Sequence, residues 1–498
     1  MSATIWAILP PVIAIVLALA TKEVYSSLLI GIFAGAMLFT GFNPITSIEV
    51  IFDIMADKIG GNVDILLFLV FLGIIVALVT KSGASAAYGK WASKTIKNKK
   101  GSLLATSALG VLIFVDDYFN CLTVGTVMRP VTDRYKVNRA KLAYIIDATA
   151  APICIIAPIS SWAAAVGSSL PENSGIDGFS LFLKTIPVNF YAIFTIMFVL
   201  FIILTGIDFG KMKSFELSGE TGIDETTKDE DEVISEHGTV LDLVLPILFL
   251  IASCIVCMIY TGGFFQGETL VNAFANCSSA RSLALGSFIT LVFTFLLYVP
   301  RKIVNFSEFC DCFVKGFKQM TSAIMILCLA WSLSGICSES YLNIGGFVSG
   351  IVNQYTSIHA LIPLLFFVIS VGLAFSTGTS WGTFGILIPI GVAIFGADQM
   401  NMLVISVAAI LSGAVCGDHI SPISDTTILS SAGAQCNHIV HVSTQIPYAL
   451  TVCISCCVGF LVAGFTKSGL AGFGAGFVAL LLTFVVLYMK YKKEAATA

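Results

Sequence analysis

The chain has 498 residues, of which 57% are hydrophobic and only 11% are charged, and its mean hydropathy is +0.95. Soluble domains of this length do not carry so much apolar sequence, so the composition excludes a soluble protein and indicates a polytopic α-helical membrane protein. The net charge is only −4, but residues 208–236 hold ten acidic and three basic side chains. We expect that acidic stretch to be a solvated loop.

Apolar runs of near-spanning length occur in two series, one on each side of the acidic stretch. In the first series they lie at 5–21, 25–42, 64–80, 102–115, 118–128, 142–166 and 187–206. In the second they lie at 241–262, 281–300, 320–338, 360–375, 381–397, 402–432 and 444–466, with an additional run at 471–490. The second series therefore repeats the first and adds one helix.

This division predicts four regions along the chain. They are a first transmembrane repeat (1–206), an acidic cytoplasmic linker (207–240), a second repeat (241–466), and an extra C-terminal helix with a basic tail (467–498).

Two local features support the repeat. Amphipathic, charge-containing stretches lie between the second and third runs of both halves, at 48–64 and 306–320, and are typical of helices at a membrane interface. The sequence Ala-Pro-Ile-Ser-Ser at 157–161 also matches Ser-Pro-Ile-Ser-Asp at 421–425. The two segments occupy corresponding places, so we expect them to have corresponding structures.

The distribution of Lys and Arg predicts the orientation. Residues 81–101 contain six Lys and residues 129–141 contain five basic side chains, whereas the counterparts at 339–359 and 390–401 contain none. Positively charged loops face the cytoplasm, so the two halves are predicted to be inverted relative to each other. This places the N-terminus outside and the C-terminus inside.

The same orientation predicts re-entrant hairpins. The segments 81–101 and 129–141 are both expected inside, so the residues between them enter the membrane and return, with a polar tip at 115–120. The matching hairpin has its tip at 375–382. The predicted fold is an all-α polytopic membrane protein with two inverted repeats, re-entrant hairpins, broken helices and about 11 spanning helices.

Polar groups interrupt an apolar run at residues 417–427, which read Gly-Asp-His-Ile-Ser-Pro-Ile-Ser-Asp-Thr-Thr. A carboxylate at the bilayer midplane costs roughly 2.5 to 3.5 kcal/mol, so it is normally tolerated there only for function. Gly417 and Pro422 are expected to interrupt the helix, and irregular backbone at this depth lines a cavity or is buried in protein. We interpret this stretch as a broken helix at an ion site.

The candidate ligands lie at the two hairpin tips and the two helix breaks. A dehydrated sodium ion takes several oxygen ligands, which carboxylates, hydroxyls and freed carbonyls supply, and crowded carboxylates also favour proton uptake. The candidates for ion, proton or substrate binding are Asp116, Asp117, Asn120, Asp147, Ser160, Ser161, Thr377, Thr379, Ser380, Asp418, His419, Ser421, Ser424, Asp425 and Thr426.

Within this set we assign roles to a few residues. The predicted sodium site consists of Asp425, Ser424, Asp117 and Thr379, and Asp418 is predicted to exchange the proton. Asp116 or Asp117 would complete the charge balance from the first hairpin.

Structural alternatives remain open for several of these residues. Asp116 and Asp117 could cap the next half-helix, and Asp418 could be a helix-end residue at a boundary. His419 could shuttle protons or only hydrogen-bond to a neighbour. The remaining candidates for pH-sensitive groups, His359, His438 and His441, sit near predicted helix ends and are expected at the interface.

Other functional classes fit less well. No Gly-Lys-Ser/Thr phosphate loop occurs, so an ATP-driven pump is not expected, and no nucleophile and base pairing indicates an enzyme. A channel would need a continuous polar lining, whereas the polar groups here concentrate at one depth.

The run 417–431, with Thr-Gln-Ile-Pro-Tyr at 444–448 and residues 114–120, resembles the NhaC-type sodium/proton antiporter family of bacteria. The resemblance implies a multi-pass antiporter of the bacterial inner (cytoplasmic) membrane that exchanges sodium for protons by alternating access, with no cofactor beyond these coupling ions. The family also includes sodium-linked carriers of organic acids and amino acids. A sodium- or proton-coupled carrier of such a solute is therefore the alternative.

The expected partners follow from this interpretation. They are sodium, protons and membrane lipid, without nucleic acid. A small organic solute and a homodimer are alternatives that the sequence leaves open.

Overall fold

The computed structural model describes residues 4–495, with gaps at 22, 172–173, 219–234, 236, 271–272, 274–276, 339, 344–346, 348–358 and 423. In the described part the chain is almost entirely α-helical and contains no β-strand. The all-α fold predicted from the sequence is therefore confirmed.

Thirteen helices form the first half and the segment that follows it. They are α1 (Leu9–Thr21), α2 (Val24–Phe39), α3 (Pro44–Gly61), α4 (Val63–Lys81), α5 (Ala84–Thr95), α6 (Lys99–Leu112), α7 (Asp117–Arg134), α8 (Arg139–Ala148), α9 (Ala151–Cys154), α10 (Ser161–Ser168), α11 (Gly178–Thr185), α12 (Phe190–Thr205) and α13 (Gly210–Ser218).

Nine helices follow in the described residues of the second half. They are α14 (Val240–Thr261), α15 (Ser279–Tyr298), α16 (Phe306–Cys337), α17 (Ile362–Thr377), α18 (Ser380–Phe395), α19 (Met400–Ile420), α20 (Asp425–Ala434), α21 (His438–Thr466) and α22 (Gly469–Ala495).

The described residues contain seven helices long and apolar enough to cross a membrane, or nine if each of two bent pairs counts as one span. This agrees with a polytopic membrane protein, although the expected number of eleven is not confirmed. Two predicted spans are not among these helices, because neither forms a single apolar helix long enough to cross a membrane. The run 5–21 begins with a short apolar helix, and the run 142–166 is divided among α8, α9 and α10.

The element order repeats between the halves. The pair α6 and α7 forms the first hairpin, with its tip at 113–116, and α17 and α18 form the second, with its tip at 378–379. A broken helix follows each hairpin, as α8 to α10 in the first half and as α19 and α20 in the second. The hairpins and breaks thus lie close to where the sequence predicts them, although residues 117–120 of the first predicted tip belong to α7.

Each hairpin packs against the broken helix of the other half. Helix α7 lies so close to α20 that a Cβ atom added to Gly125 would be 2.4 Å from the carbonyl carbon of Gly433. Correspondingly, α18 contacts α10, where the Trp162 ring lies 6.1 Å from that of Trp381 and 5.7 Å from that of Phe384. The two halves therefore interlock at their short helices.

The predicted acidic linker contains a helix near its beginning. Its beginning forms α13, which packs against α21, with Gly210 next to Pro447. Met212 in α13 is fully buried, so apolar burial holds this end against the helical bundle in spite of its neighbouring charges. Most of the rest of the linker, 219–234 and 236, lies outside the described residues.

The close approach of α7 and α20 predicts the effect of Gly125→Ala. The added methyl group would meet backbone atoms of Gly433, which cannot move without separating the helices. We expect a destabilisation of about 1 to 3 kcal/mol, seen as a lower thermal unfolding midpoint of the purified protein in detergent.

Gly474→Ala in α22 is the matched control, because no atom lies within 4 Å of its added Cβ. It should unfold at the same or a higher temperature, since Ala favours a helix by up to about 1 kcal/mol. Equal midpoints for Gly125→Ala and the unmutated protein would contradict the packing of α7 on α20.

Candidate functional site

Four half-helices begin at one place in the fold, because each break is hydrogen-bonded to the hairpin tip of its own half. The Ser161 amide at the start of α10 donates to the Val115 carbonyl over 2.9 Å. The Asp425 amide at the start of α20 donates to the Gly378 carbonyl over 3.4 Å. Together with the contacts of α7 with α20 and of α10 with α18, these bonds bring four helix N-termini together.

Short polar side chains start three of these helices. Ser160 and Ser424 accept from the amides of Ala163 and Thr427, each over 3.2 Å, and Thr379 accepts from the amide of Gly382 over 3.5 Å. This is the usual N-cap arrangement. Ser160 and Ser424, which occupy the same position in the matched segments, therefore both cap the helix that follows.

Three carboxyl groups gather at these helix ends. Asp117 begins α7, Asp425 begins α20, and Asp418 lies in the last turn of α19. The Tyr118 hydroxyl donates to Asp425 Oδ2 over 3.2 Å, and the Thr426 hydroxyl donates to Asp418 Oδ2 over 3.0 Å. The partial positive charge of a helix N-terminus stabilises the two that begin helices.

These carboxyl groups are buried and incompletely hydrogen-bonded. Asp117 and Asp418 are 1% and 3% exposed, and the Oδ1 atom of each has no hydrogen-bond partner among the described residues. Asp117 also lies close enough to Asp116 and Asp418 for repulsion between their charges. Because buried like charges are costly, the site favours binding a cation or a proton.

Asp147 joins the site from α8. It is fully buried, and its Oδ2 atom accepts from Gln445 Nε2 over 2.7 Å and from the Thr427 hydroxyl over 3.1 Å. Its Oδ1 atom has no partner among the described residues. The charge of Asp147 also acts on Asp418, so the two carboxyl groups belong to one electrostatic cluster.

Three predicted ligands mainly satisfy backbone carbonyl groups. The Asn120 amide donates to the carbonyls of Gly110, Ile113 and Thr149 over 2.7, 2.9 and 3.2 Å, and so holds the first tip in place. Ser160 and Ser421 donate similarly to the carbonyls of Cys154 and Phe375 over 2.8 and 2.7 Å. These contacts indicate supporting roles for their donor groups.

Gly417 does not interrupt the helix as expected. Helix α19 continues through it to Ile420, and the break begins at Ser421. A Cβ atom at position 417 would lie 2.3 Å from the Val371 carbonyl oxygen, so the glycine permits close packing of α19 on α17. The interpretation of Gly417 as a helix breaker was therefore wrong.

The remaining candidates divide into three groups. His419 Nδ1 lies 3.1 Å from the Tyr191 hydroxyl, and its Nε2 atom has no partner among the described residues. Ser161 and Ser380 are the first residues of α10 and α18. The side chain of Thr377, the last residue of α17, lies outside the described part.

No group of three or more His, Cys, Asp and Glu side chains in the described part of the chain is arranged to hold a metal ion. The predicted sodium site at Asp425, Ser424, Asp117 and Thr379 combines carboxylates with hydroxyls. It remains a prediction.

The sequence prediction misplaced one residue near the carboxyl groups, His441, and did not identify its partner Gln445. His441, expected at the interface, is fully buried, and its Nε2 atom lies 3.0 Å from Gln445 Oε1. The four-residue spacing of His441 and Gln445 puts them on one helix face, and this was the available signal.

A buried ion pair fixes the helix that carries Asp147. Lys141 in α8 donates to Asp208 Oδ2 over 2.5 Å, and the Tyr448 hydroxyl in α21 donates to Asp208 Oδ1 over 2.7 Å. Lys141 is 3% exposed. The pair therefore ties α8 to α21 just beyond the site, and sequence analysis did not identify it.

Comparisons with known proteins agree with a membrane transporter. The sequence model of the Na+/H+ antiporter family matches residues 161–465. A Haemophilus influenzae protein, described only as uncharacterized, is 40% identical over 499 residues, covering 97% of this chain and 95% of that protein. The malate-2H(+)/Na(+)-lactate antiporter of Bacillus subtilis is 26% identical over 210 residues, covering 38% of this chain and 43% of that protein.

Two solved transporter structures are similar at low identity. Neisseria gonorrhoeae MtrF has a TM-score of 0.47 and 14% identity, covering 86% of this chain and 84% of MtrF. Alcanivorax borkumensis YdaH has a TM-score of 0.48 and 13% identity, covering 85% of this chain and 90% of YdaH.

The features above define a polytopic membrane protein of the secondary-transporter class. More specifically, the chain belongs to the Na+/H+ antiporter family, in agreement with the NhaC-type resemblance seen in its sequence. Members of this family are transporters.

The Lys141–Asp208 pair predicts a strong effect of Lys141→Met. The substitution would leave the Asp208 carboxylate, whose side chain is 11% exposed, without its cation. We expect a loss of about 3 to 5 kcal/mol in unfolding free energy, measured by thermal unfolding and by the yield of monodisperse protein.

Lys99→Met is the control, because Lys99 is 45% exposed and lies 3.5 Å from Glu216. It should cost no more than about 1 kcal/mol. Adding Asp208→Asn to Lys141→Met should restore part of the stability. An unchanged unfolding midpoint in Lys141→Met would show that the pair does not hold α8.

Proposed function

We propose that this protein exchanges sodium for protons across the cytoplasmic membrane by alternating access. The observation that carries the proposal is the group of buried carboxyl oxygens without hydrogen-bond partners among the described residues, on Asp117, Asp147 and Asp418. A sodium ion and a proton each neutralise such a group. If the two compete for the same carboxylates, the arrival of one releases the other.

The sodium ion would bind where the second tip meets α20. There the Gly378 carbonyl accepts from the Asp425 amide, so Thr379 and Asp425 lie at adjoining helix starts. Ser424 lies beside them, with its hydroxyl 3.1 Å from that of Thr426. Asp425, Ser424 and Thr379, with Asp117 from α7, supply the hard oxygen ligands that a small cation prefers.

The proton would bind to Asp418. Its Oδ2 atom accepts from Thr426, while its Oδ1 atom has no hydrogen-bond partner in the described part of the chain. A protonated carboxyl group also removes the repulsion among Asp418, Asp425 and Asp147. Protonation thus lowers the electrostatic free energy of the buried carboxylates when sodium has left.

The membrane arrangement is part of the proposal. The excess of Lys and Arg in 81–101 and 129–141 favours a cytoplasmic location for both segments, with the N-terminus outside and the C-terminus inside. The inverted halves would then expose the site alternately to the two sides.

Neutralising the two carboxylates of the second break tests this function. In proteoliposomes that contain a pH-sensitive dye, Asp418→Asn should reduce sodium-driven proton flux at least about a hundredfold, because the proton-carrying group is lost. Asp425→Asn should raise the half-saturating sodium concentration about tenfold, a change of about 1.4 kcal/mol in binding.

Asp53→Asn provides the control, since this carboxylate on α3 is exposed. It should retain the flux of the unmutated protein at matched reconstitution. Full flux in both Asp418→Asn and Asp425→Asn would remove the ion site from this stretch.

A second candidate function is exchange of a small organic carboxylate, coupled to sodium or protons. It is favoured by three buried groups at the starts of α10 and α18, namely the hydroxyls of Ser161 and Ser380 and the indole N–H of Trp381. They are 0%, 2% and 3% exposed, and none has a hydrogen-bond partner among the described residues. Helix N-termini with free donors suit a carboxylate. The Bacillus subtilis relative named for malate and lactate belongs to the same family.

A counterflow assay tests this candidate. Proteoliposomes loaded with unlabelled lactate should take up labelled lactate in a sodium-dependent manner, and Ser380→Ala with Trp381→Phe should reduce this uptake about tenfold or more. Trp91→Phe should not change it, because Trp91 is 52% exposed on α5.

Uptake that is absent in the unmutated protein for lactate, malate and amino acids would reject the second candidate. Proton flux driven by sodium alone would then leave the first proposal standing.

A further inference from the structure

A histidine pair lies beside the carboxylate cluster, where the end of α20 meets the start of α21. His438 Nδ1 lies 3.1 Å from the Ser431 hydroxyl oxygen, and His441 Nδ1 lies 2.8 Å from the same oxygen. His441 is fully buried, whereas His438 is partly exposed. One hydroxyl group thus bridges two imidazole rings.

The outer nitrogen of His438 must carry a proton. His438 Nε2 lies 2.7 Å from the Pro422 carbonyl oxygen, and a carbonyl can only accept a hydrogen bond. When this ring is neutral, its Nδ1 atom therefore has a lone pair and no hydrogen.

The outer nitrogen of His441 must also carry a proton. Gln445 Nε2 contacts two acceptors, Asp147 Oδ2 at 2.7 Å and the His419 carbonyl at 2.6 Å, which fixes the orientation of the amide. Gln445 Oε1 then faces His441 Nε2 at 3.0 Å and can only accept. A neutral His441 ring therefore also presents a lone pair at Nδ1.

These assignments leave too few hydrogen atoms for the acceptors around the Ser431 hydroxyl. The two Nδ1 lone pairs and the Thr427 carbonyl, 2.7 Å from Ser431 Oγ, all compete for the single hydrogen of the Ser431 hydroxyl. With both rings neutral, at least one Nδ1 lone pair faces the hydroxyl oxygen without a hydrogen between them. One additional proton on either ring removes this unfavourable contact.

We propose that His438, Ser431 and His441 form a proton-binding site that holds one proton more than the two neutral rings carry, and that this proton passes to Asp147. His441 Nε2 lies 3.8 Å from Asp147 Oδ2, so a shift of about 1 Å brings the two atoms to hydrogen-bonding distance. In the transfer the Nε2–H bond breaks and an O–H bond forms. The imidazolium becomes a neutral Nδ1–H ring, and the carboxylate becomes a neutral acid.

The Asp147 carboxylate is the anionic group that faces a proton on His441. Asp147 faces His441 from α8, His419 approaches through Gln445 from α19, and Ser431 and Thr427 approach from α20. Both cations on α8 are already paired. Arg139 is bound to Asp133 and to the Ala434 carbonyl, and Lys141 is bound to Asp208. The partly exposed His438 is the entrance to the site, and Asp147 connects it to Asp418.

Nitrogen NMR of the purified full-length protein in detergent tests the site directly. The chain has five His, so uniform 15N-His labelling gives few ring signals, and His438→Gln and His441→Gln assign those of the pair. Between about pH 5 and about pH 9 we expect the two rings together to release one proton, and both neutral rings to carry their hydrogen on Nε2.

Ser431→Ala should abolish this sharing, so that the two rings titrate separately. Ser443→Ala is the control, because that hydroxyl donates only to the Val440 carbonyl on the same helix. The proposal is overturned if both rings stay neutral over the whole range, or if each gains its own proton in the unmutated protein.

The role in transport rests on the proposed sodium–proton exchange, and a separate readout keeps the two apart. In His441→Gln, sodium-driven proton flux should fall at least about tenfold, while sodium binding to the purified protein is retained. His237→Gln, which changes an exposed ring, should leave the flux unchanged. Unchanged flux in His441→Gln overturns the transfer to Asp147, whereas an absence of exchange in the unmutated protein overturns the proposed function and not the NMR result.

Discussion

Burial of incompletely hydrogen-bonded carboxyl groups is the constraint on which the rest of this structure depends. Asp117, Asp147 and Asp418 are at most 3% exposed, and each keeps one oxygen without a hydrogen-bond partner in the described part of the chain. Such groups are expensive in a low-dielectric interior. Helix N-termini and the hydroxyls of Thr426 and Thr427 lower this cost only in part, which makes cation or proton binding favourable.

The short helices that carry these groups depend on the opposite half of the molecule. Isolated helices shorter than about 12 to 15 residues are marginal in water, so α10 and α20, with 8 and 10 residues, need tertiary contacts to persist. They obtain these contacts crosswise, α20 from α7 and α10 from α18. A site built in this way belongs to both halves, so a relative movement of the halves changes its exposure and its ligands together.

The site separates three kinds of chemistry among neighbouring atoms. Carboxyl oxygens lie at α7, α19 and α20, whereas free donors lie at the starts of α10 and α18. Near Asp147 lies the pair His438 and His441, with His441 Nε2 3.8 Å from Asp147 Oδ2. The carboxyl oxygens, the free donors and the histidine pair are therefore separate groups, and substitutions can address them one at a time.

Local sequence determined the helical membrane fold, the hairpin tips, the breaks and the caps, because apolar runs and short polar interruptions act over a few residues. It did not determine which of these elements meet. The contact between Tyr118 and Asp425 joins positions 307 residues apart, and that between Gln445 and Asp147 joins positions 298 apart. Gly417 was misread for the same reason: a glycine inside an apolar run predicts a break or a close contact equally well. Only the packing of α17 against Gly417 shows that this glycine permits a close contact, since the neighbouring backbone leaves no room for a side chain.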